Sequence, residues 1–283
     1  MKKITGNSEK RGALLLLLPF FIIMIMFQLL PFLNVVAGSF QTTGGEWTLN
    51  NYAVVFRSKF LTQAVKNSIE LSIYSTVFGM IIAFQGAYSL NRIKNSSKKI
   101  VILLINMISN FNGIPLAFSF VILFGLNGVL TIILRELGLL GDFNLFSKSG
   151  LILMYTYFQI PLGILLLYPS FGKLQKEWEE MAYILGADKF TFWRRIGIPV
   201  LIPELTGTML ILFANAMGAY ACTLALTSGN YNVMTIRITS YIAGETSYEP
   251  GLASALAVVL AVFLITATAV NEIFIKRGKK YEQ

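Results

Sequence analysis

The segment "KLQKEWEEMAYILGADKFTFWRRIGIP", residues 173–199, gathers charge between long apolar runs in a chain that is elsewhere poor in charge. From Leu174, apolar side chains recur at Trp178, Met181, Ala182 and Leu185, the offsets of one face of an amphipathic helix. Glu177, Glu179 and Glu180 fall in its N-terminal half, where the helix dipole favours anions. Gly186 is placed to end it, because glycine takes the left-handed backbone common just past a helix. Asp188 reads as the N-cap of a second short helix, with Arg194 and Arg195 in its last turn, Pro199 beyond, and Phe190, Trp193 and Ile196 on its apolar side. Two short helices joined at a glycine and showing aromatic faces need a partner other than lipid alone.

The flanking sequence sets where such a platform sits. Apolar residues make up 55% of the 283 and charged residues only 13%, outside the range of soluble domains. A run of about 20 apolar residues spans a bilayer as a helix. Six are visible, at 12–40, 63–91, 100–124, 149–171, 204–227 and 251–275. None alternates over ten residues as barrel strands do, so the expected fold is an all-α polytopic membrane protein with a single transmembrane domain over 1–283. The first run is nearly twice the length of a signal-peptide core and is expected to be retained. The one cysteine, Cys222, lies in the fifth run and cannot form an intrachain disulfide. There is no histidine, so the commonest metal ligand and general base is missing. No metal site or enzyme chemistry is expected.

The net charge of +9 is explained by topology rather than by nucleic acid. With the N-terminus inside, seventeen of the 23 Lys and Arg share one side: Lys2, Lys3, Lys10 and Arg11; Arg92, Lys94, Lys98 and Lys99; Lys173, Lys176, Lys189, Arg194 and Arg195; Lys276, Arg277, Lys279 and Lys280. Arg57, Lys59, Lys66, Arg135, Lys148 and Arg237 occupy the other. The positive-inside rule then places both termini in the cytoplasm. The outer loop after Gly44 and Gly45 is expected to be a short surface helix or wrapped loop, and "NRIKNSSKK" a plain cytoplasmic connector. Gly125, Gly128, Gly138 and Gly141 bracket an interfacial helix with Arg135 and Glu136. Pro250 opens the sixth span.

The platform resembles the EAA signature of permease subunits in binding-protein-dependent ATP-binding-cassette (ABC) importers: Glu-Ala-Ala, three residues, Gly, nine residues, Ile, one residue, Leu-Pro. Here Glu180, Met181 and Ala182 precede Gly186, nine residues lead to Ile196, and Ile198-Pro199 close the pattern. The departures, Met181 for alanine and Ile198 for leucine, are apolar. "TLNNYAVVF" and "FLTQAVKNSIELSIYST" also look like the family's entry into its second span, with Asn51, Tyr52, Asn67 and Ser68 in place. The resemblance implies a type I importer fold in the bacterial inner membrane, with residues 173–198 as coupling helices seated in a separate ATPase. Glu180, Met181, Ala182, Gly186, Ala187, Phe190, Ile196 and Pro199 would form that seat. It further implies two ATPase subunits, a second permease subunit, identical or related, and an extracytoplasmic solute-binding protein. The chain has no Gly-x4-Gly-Lys-Ser/Thr loop, so ATP and its Mg are expected on the ATPase and no cofactor on this chain.

Polar residues inside spans are costly and mark either helix contacts or a pathway. Asn106, Ser109, Asn110 and Asn112 precede a break expected at Gly113 and Pro115 in the third run, and Gln159 neighbours Pro161 in the fourth. In the fifth, Ala214, Gly218, Ala221, Cys222 and Ala225 read as one small-residue packing face beside Asn215, Tyr220 and Thr223. Asn110, Asn112, Gln159, Asn215, Tyr220 and Thr223 are the candidate translocation residues. Leu185, where sugar-class permeases often carry Asp, and "GLNGVL" look more like the group serving polyamines, ferric iron, thiamine and phosphonates; a polyamine-type organic cation is the first expectation for cargo. An ion-coupled secondary transporter or channel is the alternative, disfavoured because Glu70, Glu204 and Glu272 lie near span ends.

Overall fold

Lipid offers no hydrogen-bond partner to a backbone N–H or C=O, so a chain this apolar must close its backbone bonds within helices. The structure, a computed structural model, describes residues 17–93, 95–138, 143–245 and 247–279, and these are mostly helical with no strand among them. Residues 12–16 of the expected first span, Gly141, and the cationic Lys2, Lys3, Lys10, Arg11, Lys94 and Lys280 lie outside the described residues, as do the side chains of Lys276, Arg277 and Lys279. Six segments are long and apolar enough to cross a membrane: Leu17–Gly38, Lys59–Arg92, Ile114–Glu136, Lys148–Lys173, Lys189–Met217 and Pro250–Ile273.

Four of these agree with the expected spans and two do not. The third run, expected unbroken over 100–124, is two helices, Asn95–Asn110 and Ile114–Phe124, and the most apolar stretch moves to Ile114–Glu136. The cause is the polar stripe at Asn106, Ser109 and Asn110, followed by Gly113 at φ 78°. The fifth span, expected over 204–227, begins earlier and stops at Met217; Ala221–Thr227 is a separate short helix. The small-residue face expected over Ala214 to Ala225 is therefore divided between two helices.

The helices are numbered in chain order: α1 (Leu17–Gly38), α2 (Asn50–Arg57), α3 (Lys59–Arg92), α4 (Asn95–Asn110), α5 (Ile114–Phe124), α6 (Val129–Glu136), α7 (Lys148–Leu167), α8 (Lys176–Ile184), α9 (Lys189–Phe192), α10 (Ile198–Met217), α11 (Ala221–Thr227), α12 (Met234–Ala243) and α13 (Pro250–Lys279). A helix in the segment before Pro250, α12, has no counterpart in the sequence reading.

The chain forms two compact units, one comprising the chain up to Thr62 with Ile238–Ala261, the other Gln63–Arg237 with the chain from Val262 on. In the first, Asn51 donates its amide to the carbonyls of Ser39 (3.0 Å) and Gln41 (2.9 Å), and the Tyr52 hydroxyl lies 2.7 Å from that of Ser39. These bonds fasten α2 to the end of α1. In the second unit, the Asn67 amide donates to the Asn232 carbonyl at 2.8 Å and the Ser68 hydroxyl accepts the Met234 amide at 2.9 Å, joining α3 to the start of α12.

The centre of the second unit is α7, whose apolar window is 61% buried. Gln159 is fully buried there, donating to the Ser75 hydroxyl at 2.7 Å and accepting from Thr76 at 3.3 Å. One turn on, a methyl added to Gly163 would lie 2.7 Å from the Ala83 Cβ and 3.4 Å from Leu212, so α3, α7 and α10 meet through the missing side chain. Gly163→Val should therefore cost about 1–3 kcal/mol as overpacking and lower the melting temperature of the purified protein in detergent. Gly207→Ala, whose methyl meets nothing within 4 Å, should not lower it.

Candidate functional site

The platform is built from the C-terminal end of α7 onward. Its fourth-span helix tightens into a 3₁₀ turn, Tyr168–Lys173, and α8 follows with Glu177 and Glu179 in its first turn. Gly186, at φ 81°, closes α8 with paired reverse bonds: its own N–H donates to Tyr183 O at 3.0 Å and that of Ala187 to Ala182 O at 2.9 Å. Two residues later the Asp188 carboxylate accepts the Thr191 N–H at 3.1 Å and caps α9. The Thr191 side chain and amide together hold the Asp188 carboxyl below its ordinary value. The turn and the cap lie where the sequence placed them.

The second helix, however, does not end before Pro199. A wide π turn, Trp193–Gly197, carries α9 straight into α10. There the Ile198 N–H reaches back five residues to Trp193 O, and Pro199 stands in the first turn, where a missing N–H is tolerated. The platform is thus one free helix, α8, and an extension of the fifth span.

The platform's apolar side chains divide into two sets. Ala182 and Phe192 are buried, and Trp193 meets Phe84, Tyr88, Phe171 and Phe192 at centroid distances of 5.7, 5.2, 6.4 and 5.9 Å. This aromatic cluster fixes the platform to α3 and to the end of α7. Trp193, expected beside Phe190 on one apolar side, joins this inward cluster instead, while Phe190 stays exposed. Met181 (57%), Ile184 (78%), Leu185 (82%) and Phe190 (70%) are exposed, so a row of large apolar side chains has no partner among the described residues. Glu180, also exposed, pairs with Lys176 at 3.1 Å, while Ala187 and Ile196 are half-buried and Pro199 is exposed. An exposed i,i+4 pair of this kind contributes at most about 0.5 kcal/mol, so the row is not held out by charge.

The candidate pathway residues separate similarly. A cavity of about 560 Å³ lies where the breaks of the third and fifth runs face each other, lined by Asn112, Asn215, Tyr220 and Cys222 among others. Asn112 Oδ1 accepts the Gly113 N–H at 2.6 Å and the Cys222 thiol at 3.0 Å, stitching α4–α5 to α11. On the far side Tyr155 donates to Ala219 O at 2.9 Å and bonds the Thr223 hydroxyl, so the α10–α11 break is satisfied by α7. Thr223 and Gln159 are buried in helix contacts; Asn110 is exposed, with its amide on Asn106 O at 2.8 Å. Sequence reasoning missed Tyr155, whose apolar surroundings gave no signal, and Arg92, taken as part of a plain connector. The carboxylates of Glu70 and Glu204 are paired with Lys148 and Lys173.

Residues 75–280 match the family of the binding-protein-dependent transport system inner membrane component. The spermidine/putrescine transport system permease protein PotB of Haemophilus influenzae is 27% identical over 205 residues, 70% of this chain and 71% of that protein. The trehalose transport system permease protein SugB of Mycobacterium tuberculosis is 26% identical over 220 residues, 77% and 75%. The spermidine/putrescine permease protein PotC of Escherichia coli is 22% identical over 244, 84% and 87%. Among solved structures, a chain of a bacterial alginate ABC transporter in complex with its alginate-pentasaccharide-bound periplasmic protein superimposes with a TM-score of 0.76 at 16% identity, covering 98% of both chains.

Because valine is strained at a positive φ by roughly 1–2 kcal/mol and nothing lies within 4 Å to oppose its side chain sterically, Gly186→Val should turn the platform without disturbing the spans. Expected are normal membrane insertion and a loss of ATP-driven transport in reconstituted vesicles, with Gly186→Asn, better suited to this backbone, retaining more activity.

Proposed function

The chain belongs to the family of binding-protein-dependent transport system inner membrane components, and from that membership we propose how its two sites divide the work. It is a permease subunit of an ABC importer, a multi-pass inner-membrane transport component rather than an enzyme. The observation that carries the proposal is the exposed row Met181, Ile184, Leu185 and Phe190, set on both sides of the Gly186 turn. We read it as the knob that seats in a groove of an ATPase subunit, which binds ATP and Mg and drives the motion. Both termini and the platform face the cytoplasm, and one such chain supplies half of a pathway completed by a second permease subunit, in lipid. A solute-binding protein delivers cargo from outside, as the periplasmic protein is bound in the alginate transporter structure.

The cavity at the two helix breaks is the proposed pathway segment, with Asn112, Asn215 and Tyr220 toward cargo and Thr223 and Gln159 holding helices. We propose a polyamine-type organic cation as cargo, supported by the PotB and PotC relatives. Amide oxygens and a tyrosine ring attract an organic cation, and with no carboxylate among the cavity's lining residues nothing traps it.

A photo-crosslinking residue at Met181 or Phe190 should capture the ATPase subunit in the assembled complex; a folded complex giving no such product would overturn the docking reading. For cargo, reconstituted vesicles with the cognate binding protein should accumulate spermidine or putrescine in an ATP-dependent way. Uptake of trehalose or molybdate instead, the cargo classes of other relatives, would replace the polyamine assignment.

A further inference from the structure

Arg92, at the end of α3, reaches 87 residues along the sequence to the free coupling helix. One of its terminal nitrogens donates to both oxygens of Glu179, at 3.1 and 3.2 Å. Tyr183, one turn further along α8, donates its hydroxyl to the same carboxylate at 2.9 Å, and this bond keeps the phenol protonated to higher pH than usual. Behind Arg92, its guanidinium carbon lies 4.5 Å from the centroid of the Tyr88 ring, and Tyr88 meets Trp193 edge to face at 5.2 Å and 82°. Trp193 opens the π turn into α10. A line of contacts therefore runs from α8 through Arg92 and Tyr88 of α3 to the start of α10.

The surroundings make that line matter. Glu179, Tyr183, Arg92, Tyr88 and Trp193 all border a cavity of about 600 Å³ between α8 and the ends of α3 and α7. Ala182 is the buried apolar residue of α8, and across the gap itself the contact is polar, from Glu179 to Arg92. The Arg92 side chain is 53% exposed, and an ion pair so open to water adds little to stability. Such a contact does more to set position than to hold the fold.

We propose that Arg92 and Glu179 are positioning residues, a strut through which displacement of α8 is passed directly to the second and fifth spans. The inference rests on reading α8 as the ATPase seat. The strut gives α8 a route into the spans besides its covalent connections to α7 and α9. Without it, a moving ATPase would shift α8 partly into the neighbouring cavity and less of that motion would reach the pathway.

The test uses the assembled importer with its ATPase and binding protein in vesicles, reading cargo imported per ATP hydrolysed, with crosslinking from Met181 as a parallel readout of docking. Arg92→Glu or Glu179→Arg should lower that ratio roughly fivefold, the scale of one modest contact, while the melting temperature and the crosslink are kept. Arg92→Lys, which keeps the cation but gives up the guanidinium plane over Tyr88, should fall between the parent protein and the reversals. Combining the two reversals should recover most of the loss. An unchanged ratio in both single variants would overturn the strut, as would a double reversal no better than the singles. Loss of the crosslink in the single variants alone would also overturn it, since the pair would then be holding the seat rather than passing on its motion. Absence of the crosslink in the parent protein would instead bring down the docking reading, and the strut with it.

Discussion

One reversal of backbone handedness, at Gly186, sets the direction of everything on the platform. The paired bonds from Gly186 to Tyr183 and from Ala187 to Ala182 end α8 within a single turn, and the Asp188 cap begins the next helix two residues later. That leaves little slack between the two helices. As a result, Met181, Ile184, Leu185 and Phe190 stand together on the outside while Ala182, Phe192 and Trp193 turn in toward α3 and α7. Side chains of that size in one exposed row mark a surface made to be covered. A left-handed residue that lacked a Cβ only for steric reasons would be crowded; here the space around Gly186 is open, so its backbone angle is the constraint.

The spans solve a different problem with the same economy. Two of the apolar runs are interrupted, and each break exposes backbone groups that lipid cannot satisfy. Asn112 and Cys222 close one break, and Tyr155 with Thr223 closes the other. The polar groups that line the cavity between them, Asn112, Asn215 and Tyr220 among them, are uncharged. On the proposed pathway reading, groups of that character suit a cargo selected by its delivery protein rather than by tight binding within the membrane.

Most of the helices were legible because their causes are local. Apolar length marked the spans, Gly186 and Asp188 announced the bend, and Pro250 opened the last helix. The boundaries that moved depended on more than local pattern. Residues 100–124 read as one apolar run until the polar stripe and the positive φ of Gly113 divide it, and the small residues from Ala214 to Ala225 suit a continuous face only if the helix does not stop at Met217. Pro199 reads as a stop, yet the π turn places it in a first helical turn. Among the candidate pathway residues, sequence could supply polarity but not direction: Gln159 and Asn215 look alike in a span, and only the packing of α3 against α7 buries the first. Arg92, in a loop of basic residues, carried no mark of its reach to Glu179, which depends on a contact 87 residues away.

The most direct measurement of the central claim, that this bend is a cytoplasmic seat for an ATPase, is the labelling of Leu185→Cys by a membrane-impermeant maleimide. Cys222, the one native cysteine, is buried and serves as the unreactive background. The account predicts labelling only from the cytoplasmic side of sealed vesicles, and strong protection once the ATPase subunit is assembled. Labelling from the external side, or an unchanged rate with the ATPase present, would contradict it.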